Sequence, residues 1–127
     1  MPLRSLNSSV FAWPDRGLVD REVRRWARDQ PAAHPDLVRL GYFGSYARNQ
    51  WGVGSDLDLV AVVAASSSPF ENRALEWDLT GLPVPAEILV YTEQEWSRMQ
   101  SPDRRFGRML ADETVWVWPA EPAGPPE

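Results

Sequence analysis

Two aspartates, Asp56 and Asp58, stand two residues apart at the start of an apolar segment that continues through Leu59 and Val60. Residues i and i+2 of a β-strand project to the same side with Cα atoms roughly 6.5 to 7 Å apart, so the two carboxylates can converge on shared cations. Unpaired carboxylates beside a buried strand are costly, and Mg²⁺ prefers oxygen ligands of this kind. The pair therefore predicts a magnesium site.

A Gly-Ser pair, Gly44-Ser45, precedes the first aspartate with ten residues between them. Glycine at the end of a strand lets a ligand approach the backbone closely, and we expect Ser45 to cap a brief helix over residues 45–50. The start of a helix favours anions, because its N–H groups are free and its dipole is positive there. A triphosphate beside one or two Mg²⁺ ions, opposite an acceptor hydroxyl, is the usual arrangement for in-line phosphoryl or nucleotidyl transfer.

The two halves together resemble a known signature. Residues 44–48, Gly-Ser-Tyr-Ala-Arg, and residues 55–60, Ser-Asp-Leu-Asp-Leu-Val, are similar to the Gly-Ser-x₁₀-Asp-x-Asp motif of nucleotidyltransferases in the DNA polymerase β superfamily. The short chain and the early position of the motif resemble the minimal nucleotidyltransferases, which act as antitoxins beside a helical HEPN-domain toxin. The signature covers residues 44–60, and the order of predicted elements allows the resemblance to extend over about residues 15–118.

The resemblance implies a role for each residue of the candidate site. Gly44 and Ser45 would hold the nucleotide phosphates, and Asp56 and Asp58 would ligate Mg²⁺. Members of the family use a third carboxylate on a later strand, which ligates the catalytic cation and helps to deprotonate the acceptor. Glu87 is the only acid in the strand predicted over residues 86–91, so it is the expected third catalytic and metal-binding acid.

Two further residues bear on the resemblance. Arg48 could pair with phosphate through its fork of N–H donors. Asn49 stands where the family commonly has glycine, which is a mild departure because asparagine tolerates left-handed backbone geometry better than most residues.

The function that the resemblance implies is Mg²⁺-dependent transfer of a nucleoside monophosphate, AMP from ATP, to a hydroxyl, with two Mg²⁺ ions as cofactors. The acceptor that it favours is a tyrosine of a HEPN-type toxin, so the chain would act as an antitoxin. No sequence remains for the helical domain that closes over base and acceptor in larger relatives, so a partner or a homo-oligomer would complete the site. Two alternatives stay open: a non-catalytic antitoxin module that masks its partner, and a transferase that acts on a small molecule such as an aminoglycoside.

The surrounding sequence predicts an α/β or α+β fold, a small mixed sheet with helices packed against it, which by resemblance is polymerase β-like. A helix that opens at Asp15 is expected to end at Gln30, because Pro31 lacks the amide that a helix interior needs. Thr92 and Glu95 match a capping box that starts a helix at Glu93. The remaining predicted elements are strands over 37–43, 57–64, 86–91 and 114–118, a weakly patterned helix over 70–79 and a helix over 104–111.

Composition restricts the setting in which this chemistry takes place. The 127 residues fit one domain, expected over residues 1–118, followed by a proline-rich tail over 119–127 that we expect to be disordered. The net charge is −5, which argues against a long nucleic-acid partner. The absence of cysteine removes thiol chemistry, and the longest apolar run, seven residues over 59–65, is too short to span a membrane. We therefore expect a cytoplasmic protein.

Overall fold

The structure is a computed structural model that describes residues 15–50, 52 and 54–120. This part of the chain forms four α-helices and a four-stranded sheet. In chain order the elements are α1 (Arg16–Ala33), β1 (Leu37–Phe43), β2 (Leu57–Val63), α2 (Phe70–Arg73), a 3₁₀ turn (Ala74–Glu76), β3 (Ala86–Thr92), α3 (Glu93–Met99), α4 (Arg105–Glu113) and β4 (Val115–Trp118). Residues 121–127 of the predicted tail lie outside the described residues.

The sheet has the strand order β3-β2-β1-β4 and is mixed, as predicted. Strand β2 runs parallel to β3, whereas β1 is antiparallel to both of its neighbours, β2 and β4. The strand β3, which follows Pro83 and Pro85, lies at an edge of the sheet, where the missing amides of the prolines cost no ladder hydrogen bond. The parallel pairing of β2 and β3 brings the first residues of both strands to the same end of the sheet.

The two faces of the sheet are covered by different helices. Alternate strand residues point to opposite faces, and one set packs with α1 and Trp77 in the main core. Tyr42 belongs to this set, and its hydroxyl donates a hydrogen bond of 2.7 Å to Asp20 of α1. On the other face Val60 and Val62 are buried where α3 contacts β2. Strand β2 is thus buried on both faces beyond Asp58.

Helix α1 continues past its proline, so the prediction that it ends at Gln30 is wrong. Pro31 removes one backbone donor, but the next turn still closes because the His34 amide donates to the Gln30 carbonyl at 2.7 Å. The Gln30 side chain also donates to the carbonyl of Trp26 at 3.0 Å. At the other end the side chain of Asp15 caps the helix by accepting from the Leu18 amide.

The other helices follow their predictions to different degrees. The capping box of Thr92 and Glu95 is present in both directions, and α3 begins at Glu93 as expected. The predicted helix over 70–79 is shorter, since the α-helix ends at Arg73 and a 3₁₀ turn ends at Glu76. Helix α4 begins one residue later and ends two residues later than predicted. None of the helices in the described ranges has the length and apolar character that crossing a membrane requires.

Candidate active site at the strand ends

Three strands place one residue each in a row across the sheet. Phe43, the last residue of β1, pairs with Asp58 of β2, and Asp58 pairs in turn with Glu87 of β3. Residues that pair directly share a face of the sheet, and adjacent strands lie roughly 4.8 Å apart. The carboxylates of Asp58 and Glu87 are therefore neighbours, with an aromatic ring on the other side of Asp58.

Asp56 adds a third carboxylate just before β2 begins. Asp56 and Glu87 are exposed, whereas Asp58 is half-buried. Burial raises the pKa of Asp58 above its usual value, and the negative charges of Glu87 and then Asp56 raise it further, while Arg48 acts in the opposite direction. The fold thus concentrates the negative charge of the three predicted acids around Asp58.

These carboxylates are close to one another without enclosing a cation site. Within the described ranges no three acidic or histidine side chains are arranged tightly enough to hold a metal ion. The same ranges supply no hydrogen bond or salt bridge to the carboxylates of Asp56, Asp58 or Glu87. An all-oxygen donor set whose negative charge is only partly offset by Arg48 suits a hard divalent cation such as Mg²⁺, and binding one would relieve the repulsion that Glu87 and Asp56 add to the effect of burial on Asp58.

Gly44 follows β1 directly and lies against the same aspartate. It is buried and adopts a left-handed backbone with φ +80°. A Cβ atom at this position would collide with the carboxylate of Asp58. Both the backbone angle and the contact therefore require glycine here, and they bring the main chain of the Gly-Ser pair next to the acids.

We expect Gly44→Ala to lower the free energy of unfolding by about 1–2 kcal/mol for the left-handed backbone alone, and by more because Cβ displaces the Asp58 carboxylate. Urea denaturation measures the change. Gly54→Ala is a matched control, since Gly54 has φ +88° but no atom within 4 Å of an added Cβ. Equal losses of stability in the two variants would contradict the contact between residue 44 and Asp58.

The segment after Gly44 is a turn, so the predicted brief helix over residues 45–50 is wrong. The amides of Arg48 and Gln50 donate to the carbonyls of Gly44 and Ser45, an irregular pattern that closes a single turn. Asn49 ends it with φ +60°, the left-handed geometry that its side chain was expected to tolerate. Ser45 is half-buried and lies in a turn, so it can donate a hydrogen bond from its hydroxyl to an anion but has no helix dipole behind it.

Arg48 is exposed and is held by a partner that the sequence did not reveal. Its guanidinium donates to Glu113, at the end of α4, at 3.2 Å and to Gln50 at 3.1 Å. The positive charge of Arg48 also offsets part of the rise in the pKa of Asp58. It therefore lies near the acids, but it is shared with Glu113, which is 65 residues away in sequence.

Of the three acids at the strand ends, Asp56 and Glu87 are exposed to solvent and Asp58 is half-buried. A cavity of about 400 Å³ lies at the opposite end of β2, where it is lined by residues 33–36 before β1 and by Val63, Arg73 and Trp77 among others. None of the predicted site residues lines this cavity. His34 is half-buried there, with its ring stacked on Trp77 at 3.7 Å between centroids.

Similar folds occur among solved structures. A crystal structure of a Sulfolobus solfataricus protein designated a nucleotidyltransferase has a TM-score of 0.57 and 17% identity, and the alignment covers 81% of this chain and 82% of that one. A toxin–antitoxin structure with AMP-PNP has a TM-score of 0.52 and 16% identity, with coverages of 78% and 72%. A mutant form of the toxin–antitoxin complex MntA–HpeT is more distant, with a TM-score of 0.49, 14% identity and coverages of 78% and 71%.

Comparison with protein families is more specific than these likenesses, which at such low identity show the fold alone. No curated protein matches the chain significantly. The family model "Nucleotidyltransferase domain" matches residues 24–108, which is more than half of the chain and includes both halves of the signature together with Glu87. The resemblance inferred from the motif is thereby confirmed, and the chain belongs to the polymerase β-like family of nucleotidyltransferase domains.

Proposed function

We propose that this protein is a Mg²⁺-dependent nucleotidyltransferase that transfers AMP from ATP to a hydroxyl group of a protein partner. The observation that carries the proposal is the pairing of Asp58 with Glu87 on adjacent strands, with Asp56 beside them and Gly44 against Asp58. Asp56 and Glu87 are exposed, so their side chains are free to turn toward a cation bound beside the half-buried Asp58. Two Mg²⁺ ions held by these three acids are the proposed cofactors.

Bound Mg²⁺ would supply charge neutralisation for the triphosphate and acidify the acceptor hydroxyl. Gly44 and Ser45 present the turn against which the phosphates lie, and Arg48 can add a charge-assisted hydrogen bond to them. The acceptor oxygen forms a bond to the α-phosphorus, the bond from that phosphorus to the bridging oxygen breaks, and pyrophosphate leaves. Glu87 takes the proton of the hydroxyl, since it is exposed at the edge strand where an acceptor arrives.

The proposed acceptor is a tyrosine hydroxyl of a HEPN-type toxin, which makes this chain an antitoxin. The open surface around Asp56 and Glu87 suits an acceptor on a folded protein, and the net charge of −5 disfavours a polynucleotide. The similar toxin–antitoxin structure with AMP-PNP combines the two features of the proposal, a nucleotide and a protein partner. Transfer to a small molecule and simple masking of the partner are the outcomes against which the proposal is tested.

We expect Glu87→Gln to slow AMP transfer by about 10²-fold or more, because the site loses both a cation ligand and the group that accepts the proton. Glu87→Asp should recover part of the rate, since it keeps the carboxylate at a shorter reach. Single-turnover transfer of label from α-³²P-ATP measures the difference. Glu71→Gln, at an exposed position on α2, is the control and should transfer at the wild-type rate. A wild-type rate in Glu87→Gln would remove Glu87 from the mechanism.

The function as a whole is tested by incubating the full chain with α-³²P-ATP, Mg²⁺ and a purified HEPN-domain protein whose toxicity the chain suppresses. We expect label on the HEPN protein, its loss when a tyrosine of that protein is changed to phenylalanine, and no label with EDTA. Suppression of toxicity without label, unchanged by Asp56→Asn and Asp58→Asn, would show masking instead. Label on an added aminoglycoside but not on protein would replace the proposed acceptor with a small molecule.

A further inference from the structure

One aromatic ring lies beside Asp58, on the side away from Glu87, and a second ring packs against the first. Phe43 is the direct cross-strand neighbour of Asp58 and is adjacent in sequence to Gly44. Phe106 of α4 packs edge-on against Phe43, with ring centroids 6.2 Å apart and an angle of 84° between the rings. Phe106 is nevertheless 46% exposed, which makes it one of the few large apolar side chains in the described ranges with so much surface in solvent.

The exposed ring is held in place and is not a consequence of a loose helix. Gly107 lies so close to the backbone of Met99 that a Cβ atom there would overlap the Met99 carbonyl. The Gln100 side chain donates to the carbonyl of Gly107 at 3.1 Å, and Leu110, one turn later, is fully buried. These contacts fix α4 against α3, so the fold keeps the ring of Phe106 in solvent although its burial would be favourable.

We propose that Phe106, backed by Phe43, is the platform on which the base of the donor nucleotide stacks. The inference rests on the proposed function and extends it to the recognition of the base. A nucleoside triphosphate has an anionic end, which binds with Mg²⁺, and a flat aromatic end. The acids proposed to bind Mg²⁺ and the exposed ring of Phe106 lie on either side of Phe43. Stacking against a face of the ring accepts any base, because every base has a π surface.

The test uses two probes that both carry a chain of three phosphorus atoms, of which only one carries a nucleoside: α,β-methylene-ATP and inorganic tripolyphosphate, each with Mg²⁺ and titrated calorimetrically. We expect Phe106→Ala to weaken binding of the ATP analogue by roughly tenfold and to leave tripolyphosphate binding unchanged, because only the analogue can stack. Phe106→Trp should restore the affinity for the analogue, whereas Phe106→Leu, which keeps apolar packing against Phe43, should not. Leu75→Ala, at a residue that is 83% exposed, is the control and should bind both probes as the wild type does.

The inference is overturned if Phe106→Ala binds the analogue as the wild type does, or if it weakens both probes equally. It is also overturned if Phe106→Leu behaves like Phe106→Trp, since packing alone would then explain the effect. Failure of the proposed function looks different: the wild type itself binds neither probe in the presence of Mg²⁺. If the wild type binds the analogue no more tightly than tripolyphosphate, the result is consistent with the proposed phosphate site but contradicts stacking of the base on Phe106.

Discussion

Asp58→Asn is expected to reduce AMP transfer by about a thousandfold or more while the protein stays folded. Asp58 is the central acid of the cluster, paired with Glu87 and adjacent to Asp56, so its loss removes a ligand that both proposed ions need. Interactions with a catalytic cation contribute several kcal/mol to transition-state stabilisation, and about 1.4 kcal/mol corresponds to a factor of ten in rate. Single-turnover transfer from α-³²P-ATP measures the loss.

The stability of the same variant separates a catalytic role from a structural one. Burial, Glu87 and Asp56 all disfavour the ionised carboxylate of Asp58, which raises its pKa. Stability linked to this group is therefore present below its ordinary pKa of 3.8 and is lost as the pH rises through the raised value. Without Mg²⁺ at pH 7, Asp58→Asn should thus unfold at the same temperature as the wild type or a higher one.

The control for the loss of AMP transfer in Asp58→Asn is Asp29→Asn, at an exposed position on α1, which should transfer AMP at the wild-type rate. Full transfer by Asp58→Asn at saturating Mg²⁺ would contradict the assignment of this residue as a ligand. A large drop in its unfolding temperature would mean that the lost activity reports on folding instead.

Glu95→Ala is expected to cost about 3 kcal/mol of the free energy of unfolding, because it removes the hydrogen-bonded carboxylate from the buried guanidinium of Arg73 and leaves only the weaker attraction of Glu71 and Glu76. Only 7% of the Arg73 side chain is exposed, and it donates to both carboxylate oxygens of Glu95, at 2.6 and 3.1 Å. Arg73 also donates to the carbonyls of Ser68 and Val90, so it joins α2 to the loop before it and to β3. The variant loses the capping box of α3 as well, since Glu95 accepts from the Thr92 amide. Urea denaturation at pH 7 measures the cost.

The difference in the free energy of unfolding between the wild type and Glu95→Ala should decrease as the pH falls. The hydrogen bonds from Arg73 lower the pKa of Glu95 below its ordinary value of 4.5. The stability that Glu95 contributes is therefore present above pH 4.5 and is lost as the pH falls through the lowered pKa. The gap between wild type and Glu95→Ala should narrow on acidification. Glu93→Ala, in the same helical turn but exposed, should change stability by no more than about 0.5 kcal/mol, and a gap equal to that of Glu95→Ala would argue against the Arg73 pair.

Several features of the fold could be read from residues that are neighbours in sequence. The bounds of β1 follow from a run of β-forming residues that Gly44 ends, and the capping box of α3 follows from a side chain that reaches an amide three residues away. Where local rules competed, they gave wrong boundaries: a proline did not end α1, and the turn at Asn49 prevented a helix after Ser45. A single irregular residue in a helix or turn costs less free energy than the tertiary packing around it provides. Rules based on neighbouring residues do not compare these two free energies.

The sequence by itself determined which chemical groups are available, because it sets two aspartates two positions apart and a Gly-Ser pair ten residues before the first of them. Only the tertiary structure decided which groups meet. The register between β2 and β3 sets Glu87 opposite Asp58, and a one-residue slip would turn it to the other face. The approach of α4 brings Glu113 to Arg48 and Phe106 to Phe43. Contacts between residues this far apart in the chain depend on strand register and helix packing, and no local pattern in the sequence encodes either.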